Sequence, residues 1–188
     1  MAKGSAMTGT VGSEATLRQS REMTVLDHLN AEKERDVDAT LATFKAGGGR
    51  LELPGGEVAD GPGEVADTYR DLFTAFPDLT APDPEPGTLS HHGDWVIAEI
   101  RLQGTHLGSF RGLPPTRRRI DLPLIAIFEF DGPDLLCERV YYDRLTMLIQ
   151  LGIARDPNTL AGKVTTFLNH PVTLIRAALR ARTPRPGL

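Results

Sequence analysis

Apolar residues recur at three- and four-residue steps in the first part of the chain, the spacing of helices with one buried face. Met23, Leu26 and Leu29 predict a helix over residues 14–33. Another clear helix follows Asp60 and stops before Pro77, which cannot continue it. Its apolar stripe consists of Val65, Tyr69, Leu72, Phe73 and Phe76.

The pattern changes to alternation after residue 88, which predicts strands. Residues 95–103 alternate, and two more long strands are predicted over residues 120–130 and 135–142. Helices followed by consecutive long strands predict an α+β fold rather than a parallel α/β fold. We expect a curved, mixed or antiparallel sheet that wraps around the N-terminal helices and forms a cone-shaped pocket.

Composition divides the chain into three parts. Residues 1–13 are small and polar and predict a disordered lead, residues 14–152 carry the α+β domain, and residues 153–188 predict a helical C-terminal extension. The apolar stripes at 160–168 and 172–179 should be buried. They would dock on the domain, close over its pocket as a lid, brace a second subunit or lie on a membrane surface. The second stripe is short and lacks Trp, which argues against the membrane.

Charge and cysteine content exclude several functions. The net charge of −4 gives no reason to expect a nucleic-acid partner, and no apolar run of about 18 residues predicts a membrane partner. Cys137 is the only cysteine, which excludes an internal disulfide and predicts a cytoplasmic protein. His91 and His92 are adjacent and would point to opposite strand faces, so neither a metal nor another cofactor is predicted.

Three sequence motifs suggest a family. They are Phe-Pro-Asp at residues 76–78, Gly-Thr-His-Leu-Gly-Ser-Phe-Arg-Gly-Leu-Pro-Pro-Thr at 104–116, and Glu-Arg-Val-Tyr-Tyr-Asp at 138–143 with Leu-Ile-Gln-Leu-Gly at 148–152. Together they resemble the SnoaL-like polyketide cyclases, which have a ketosteroid-isomerase-like cone fold. The resemblance covers residues 27–152, and it departs at Arg117, where the family usually has glycine.

The resemblance implies a cofactor-independent cyclase that closes a ring of a hydrophobic, oxygenated, polyketide-like small molecule by an intramolecular aldol reaction. It implies a homodimer, with Asp143 as the acid/base and His106 in the pocket wall. Further candidate substrate contacts are the aromatic residues Tyr69, Phe73, Trp95, Phe110 and Tyr141. Tyr69 and Phe73 fit the core better than a substrate contact, although a pocket wall in this fold would use the same helix face.

The residues themselves leave the roles of Asp143 and His106 open. A carboxylate that faces an apolar cavity has a raised pKa and can transfer protons near neutral pH. However, Asp143 directly precedes a predicted helix, where an aspartate commonly caps the first turn. His106 follows the strand over residues 95–103, and a lone histidine there is often a structural hydrogen-bond partner.

Two other functions fit the same fold. Epoxide opening would need a positioned water and a further acid in the pocket, for which Asp67, Asp71, Glu99 and Glu129 show no inward pattern. A non-catalytic ligand-binding module is the other alternative, because fold alone does not decide function. The strand over residues 120–130 is apolar on both faces, so one face should line the pocket and the other should meet the second subunit.

Overall fold

Helices precede the long strands along the chain, as the sequence predicts. The computed structural model describes residues 6–82 and 89–182. The predicted loop at residues 81–87 therefore lies mostly outside the described residues. The elements are α1 (Ala6–Glu34), α2 (Val37–Ala42), β1 (Arg50–Leu53), β2 (Glu57–Asp60), α3 (Pro62–Ala75), β3 (Leu89–His92), β4 (Trp95–Thr105), β5 (Arg119–Asp131), β6 (Asp134–Tyr142), α4 (Arg144–Gln150), α5 (Leu160–Asn169) and α6 (Pro171–Arg182).

The strands of the described ranges form one mixed sheet in the order β2-β1-β6-β5-β4-β3. β1 runs parallel to β6, and every other neighbouring pair is antiparallel. A bulge at Glu129 and Phe130 interrupts the β5–β6 ladder, and bulges of this kind bend a sheet. The predicted α+β fold is confirmed.

The core lies between α1, α3 and the inner face of the sheet. Tyr69 and Phe73 of α3 are buried, as are Val96 and Ala98 of β4 and Phe128 of β5. The alternation predicted for β4 is therefore confirmed, and its even-numbered residues face the helices. Within the described residues, no helix is both long and apolar enough to cross a membrane.

The orientation predicted for α1 is wrong. Met23 and Leu26 are 53% and 43% exposed, whereas Arg21, Val25 and His28 are buried. The inner face of α1 carries charged and polar residues. The apolar residues from which the buried face was predicted lie on its outer face. The helix also begins at Ala6, inside the segment predicted to be a disordered lead.

Arg21 fastens α1 to the sheet. Its Nε and Nη1 donate to the carbonyls of Gly132 and Gly93 at 2.7 and 3.0 Å, and its Nη2 pairs with Asp94 at 2.9 Å. Gly93 and Asp94 form the β3–β4 turn, and Gly132 belongs to the β5–β6 turn. The buried guanidinium of Arg21 thus forms hydrogen bonds with two hairpin turns, and these bonds hold α1 against both turns.

The family-like motifs meet where α3 ends. The Asp78 carboxylate accepts hydrogen bonds from the Thr105 amide and hydroxyl at 2.6 and 2.7 Å. The amides of Leu107 and Gly108 donate to the Ala75 carbonyl. A Cβ at Gly108 would lie 2.2 Å from the Thr74 carbonyl oxygen, so this crossing requires glycine.

Candidate active site

A cavity of about 150 Å³ lies between the helices and the inner face of the sheet. Most of its lining is apolar and includes Leu72, Phe76, Ile100, Leu102, Ile120, Leu122, Leu124 and Val140. Its polar lining includes Glu32, Tyr69 and Glu138, which lie close together. An apolar pocket with a few converging polar groups is the usual form of a small-molecule site.

His28 joins these three side chains in one cluster, in which His28, Tyr69 and Glu138 are buried and the Glu32 side chain is 24% exposed. The Tyr69 hydroxyl donates to Glu138 Oε2 at 2.6 Å. His28 Nε2 lies 3.2 Å from the Tyr69 oxygen, 3.3 Å from Glu138 Oε2 and 3.5 Å from Glu32 Oε1. We call these four residues the buried cluster.

Three elements position the buried cluster. His28 and Glu32 are one turn apart on α1, so their side chains lie on the same helix face. Tyr69 comes from the buried face of α3, and Glu138 points inward from β6. The rings of Phe44 and Phe128 meet the His28 ring edge-on at 5.2 and 5.5 Å, which holds the imidazole in place.

Hydrogen bonds define where the protons of the buried cluster lie. The Thr43 hydroxyl donates its only proton to the Thr40 carbonyl at 2.7 Å, so His28 Nδ1, 2.6 Å from that oxygen, must donate to it. Tyr69 uses its single proton on Glu138. With Glu138 and Glu32 ionised, the contacts of Nε2 also require a proton, and His28 is then an imidazolium.

The pKa values agree with this assignment. Burial alone would lower the pKa of His28, but its hydrogen bonds to Glu138 and Glu32 and their negative charges raise it from 6.5 to about 10. Burial, followed by the charge of Glu138, raises the pKa of Glu32. Burial and the two carboxylates also raise the pKa of Tyr69 well above its ordinary value.

Glu32 is the group of the buried cluster best suited to proton transfer with a ligand. It lines the cavity, and its raised pKa brings its titration closer to neutral pH. Tyr69 stays neutral, and Glu138 is held by the Tyr69 hydroxyl and the His28 imidazolium. The arrangement can take a proton from a bound molecule and return it without a cofactor.

The types of group in the buried cluster also occur in metal sites. His28, Glu32 and Glu138 offer ligand atoms within 4.8 Å of one another, a spacing the sequence did not reveal. A cation would have to displace the Nε2 proton, because a ligating imidazole nitrogen must be unprotonated. The absence of a metal cofactor stays a prediction.

Charged residues frame the cavity away from the buried cluster. Arg111 lines the cavity, pairs with Glu57 of β2 and lies 5.2 Å above the Phe110 ring. Arg111 has a positive φ of 51°, followed by Gly112 at 79°, in a tight turn closed by Phe110 and Leu113. This turn ties the β4–β5 connection to the β1–β2 hairpin.

Comparison with known proteins identifies the family. The sequence profile of the SnoaL-like polyketide cyclases matches residues 24–151. The chain belongs to this family. No curated protein matches the chain significantly. The recognition made from the motifs is therefore confirmed, and the match includes every residue of the buried cluster.

Solved structures share the SnoaL-like fold. A candidate SnoaL-like polyketide cyclase from Jannaschia sp. CCS1 superposes with a TM-score of 0.64 at 22% identity, covering 73% of this chain and 94% of that one. The epoxide hydrolase/cyclase-like enzyme SalBIII, linked to pyran ring formation in salinomycin, gives 0.56 at 24%, with coverages of 68% and 93%. A protein with a ketosteroid isomerase-like fold from Catenulispora acidiphila gives 0.56 at 17%, with coverages of 69% and 92%.

Asp143 lies outside the cavity of the SnoaL-like domain. It is the N-cap of α4, accepting hydrogen bonds from the Leu145 amide at 2.9 Å and the Thr146 hydroxyl at 2.5 Å. The Thr146 hydroxyl in particular lowers the pKa of Asp143, and its carboxylate is exposed. The cap interpretation is confirmed, and the desolvated environment expected for a catalytic acid is not found there.

Asp143→Asn should therefore keep both the stability and the turnover of the wild type, because asparagine caps helices equally well. Asp143→Ala should lower the thermal midpoint by about 3 °C without changing turnover. Calorimetry and a turnover assay on both variants test this. A folded Asp143→Asn protein with strongly reduced turnover would return the catalytic role to Asp143.

His106 is buried behind the cavity wall. It stacks on Phe76 at 5.3 Å, and Phe76 lines the cavity while His106 does not. Its Nδ1 accepts the Thr116 amide at 3.2 Å, which ties the two ends of the Gly-Thr-His motif segment together. Burial lowers the pKa of His106. The structure does not bring His106 and Asp143 to a common point in the cavity.

The aromatic candidates divide between the two faces of the sheet and the core. Tyr69 and Phe110 line the cavity. Phe73 is stacked on Tyr69 in the core and does not line the cavity. Trp95 is exposed, and Tyr141 is 55% exposed on the outer face of the sheet. In β6 the residue that reaches the cavity is Tyr142, because neighbouring strand positions point to opposite sides.

The sequence interpretation missed His28, Glu32 and Glu138. The available signal was the four-residue spacing of His28 and Glu32 on a predicted helix and the phase of Glu138 opposite to Asp143. These residues lie on two elements far apart in the sequence, α1 and β6, so no local motif joins all three.

The buried cluster should make stability depend on pH. Because the pKa of folded His28 is raised above its ordinary 6.5, its stabilising contribution is complete below pH 6.5 and is lost as pH rises toward 10. Glu32, whose pKa is also raised, acts in the same direction at lower pH. We expect the free energy of unfolding to fall by about 2–3 kcal/mol between pH 6.5 and 8.5.

Urea unfolding at a series of pH values measures this fall. A matched control is His91→Gln, which removes a partly buried histidine paired with Glu22 and leaves His28 and its partners intact, so the fall should persist in it. Constant stability from pH 6.5 to 8.5 in the wild type would contradict the imidazolium assignment.

Proposed function

We propose that this SnoaL-like protein closes a ring of a hydrophobic, oxygenated, polyketide-like molecule by cofactor-independent acid/base catalysis. The observation that carries the proposal concerns Glu32. Its carboxyl has a raised pKa and lines an apolar cavity. Membership of the polyketide cyclase family supports the substrate class. In this proposal the proton-transfer role passes from Asp143 to Glu32.

The reaction uses one proton. Ionised Glu32 removes a proton from the carbon next to a carbonyl group, and the resulting enolate attacks a second carbonyl of the same molecule. The new alkoxide then takes the proton back from Glu32, so the enzyme returns to its starting state. The Tyr69 hydroxyl, kept neutral by its raised pKa, turns from Glu138 to donate to the enolate oxygen.

The size of the cavity limits what reacts there. Its volume of about 150 Å³ is that of an apolar cavity that accepts benzene. One ring of the substrate therefore fits against the buried cluster at a time. The remainder of a larger molecule would extend past Arg111 and Glu57.

Deuterium exchange into 2-tetralone tests the proposal without the natural substrate. This compact ketone loses an α-proton to a base, which is the first half of the aldol reaction. We expect the protein to accelerate exchange in D₂O, followed by proton NMR, over a buffer control. Binding of 2-tetralone without any acceleration would contradict proton transfer in this cavity.

Epoxide opening is a second candidate, because the cavity contains the additional acid that this reaction needs. Glu32 and Glu138 are two carboxyl groups that lie close together in an apolar pocket. One would activate water and the other would protonate the epoxide oxygen. Hydrolysis of styrene oxide to the diol, with no exchange into 2-tetralone, would favour this function over ring closure.

A further inference from the structure

The C-terminal helices carry large apolar side chains that are exposed. From Leu160 to Ala181 every residue except Gly162 is exposed, and Leu168 is 71% exposed. The exposed large apolar side chains are Leu160, Val164, Phe167, Leu168, Val172, Leu174, Ile175 and Leu179. We call α5 and α6 together the arm. The expectation that the arm docks on its own domain is not met.

Local contacts hold the connection between α4 and the arm. The amides of Ile153 and Ala154 both donate to the Leu148 carbonyl at the end of α4. Thr159 caps α5, and Gly162 packs so closely on the Asp156 carbonyl that a Cβ would lie 1.8 Å from it. Because the large apolar side chains of the arm are exposed, its apolar face is available to another molecule.

Charge is distributed unequally between the arm and the rest of the chain. Residues 153–188 contain six Lys and Arg and one acidic residue, Asp156, whereas residues 1–152 contain fifteen Lys and Arg against twenty-four Asp and Glu. A basic, apolar arm is thus complementary to the acidic body of another copy. The same acidic body would be repelled by an anionic membrane.

The outer face of the sheet offers a matching surface. Glu99, Ile125 and Tyr141 are cross-strand neighbours there, and they line an open groove with Pro123 and Asp143. Ile125 is 42% exposed. Arg101 in the same groove is paired with Asp121. The groove therefore combines apolar side chains with the acids Glu99 and Asp143. These acids are complementary in charge to Lys163, Arg176 and Arg180 of the arm.

We propose that the arm of one copy packs into the outer sheet groove of a second copy, and that the two copies exchange arms in a homodimer. Each copy has one arm and one groove, so a two-fold arrangement satisfies both. The arm spans roughly 35 Å if its two helices are aligned, enough to cross the sheet. This inference does not depend on the reaction catalysed.

Mass measurements on the full chain test the exchange. Light scattering should show a dimer at micromolar concentration, and Phe167→Glu should raise its dissociation constant about tenfold or more. Thr165→Glu is the matched control, because it adds the same charge to α5 outside the apolar face and should leave the dimer intact. Added salt should weaken the wild-type dimer.

Disulfide trapping shows where the arm lies. Oxidation of a mixture of the Phe167→Cys and Ile125→Cys variants should yield a cross-linked heterodimer, since native Cys137 is buried. The Thr165→Cys variant in place of Phe167→Cys should not cross-link. A monomeric wild type, or a dimer without this cross-link, overturns the proposal. Binding of a monomer to phosphatidylglycerol vesicles, lost in Phe167→Glu, would assign the arm to a lipid surface instead.

Discussion

Glu32→Gln should lower the rate of α-proton exchange into 2-tetralone by about 100-fold or more, the scale of a lost general acid/base. The amide has nearly the same shape as the carboxyl, so the cavity and its ability to bind the ketone should be preserved. The loss should therefore appear in the turnover rate and not in the affinity. Parallel binding and exchange measurements on wild type and variant separate the two.

A matched variant shows whether position in the buried cluster matters. Asp71 also lines the cavity, but it is exposed, and among the described residues no hydrogen bond or ion pair joins it to the buried cluster. Asp71→Asn should exchange at the wild-type rate. Equal losses of exchange rate in Glu32→Gln and Asp71→Asn would indicate a general effect of negative charge around the cavity. A folded Glu32→Gln protein with the full exchange rate would show that Glu32 is not the base.

His28→Leu should lower the free energy of unfolding by about 3–5 kcal/mol, because it leaves the Glu138 charge buried without its counter-ion. Leucine fills much of the space between Phe44 and Phe128, so the cost should come mainly from electrostatics. Urea unfolding at pH 7 measures it. A change below about 1 kcal/mol would mean that no buried ion pair exists.

A double-mutant cycle isolates this interaction. Glu138→Gln removes the charge that His28→Leu would strand, so the double variant should be more stable than the sum of the two single changes predicts. The expected coupling is about 2 kcal/mol or more. Thr43→Val provides a comparison, since it removes only the neutral partner of Nδ1. Additive single effects would contradict the pairing of His28 with Glu138.

The fold was predictable because its elements are locally encoded. The stripe of α3 and the alternation of β4 each determine one buried face, and those faces can only meet each other. Likewise Pro77 ends α3 and Gly152, at φ 75°, follows α4. The orientation of α1 was not predictable, since Arg21 and His28 are polar residues that normally indicate a solvent-exposed face.

The site was only partly predictable, because two of its determinants are not local. The phase of β6 relative to the cavity depends on its pairing with β5, and it places Glu138 and Tyr142 inside while Tyr141 faces out. Asp143 and His106 stand out in the motifs, yet their contacts are structural. The motif around Thr105 likewise serves the junction with Asp78. Motifs of this family therefore identified the fold better than the chemistry.

The central claim is that Glu32 carries the transferable proton, and titration of this carboxyl tests it most directly. Protein labelled with ¹³C at the glutamate side-chain carboxyls would be followed by NMR across pH, with the Glu32 signal assigned by its absence in Glu32→Gln. The account predicts a midpoint above the ordinary 4.5, together with a shift of that signal when 2-tetralone binds. A Glu32 midpoint at or below 4.5 would contradict it.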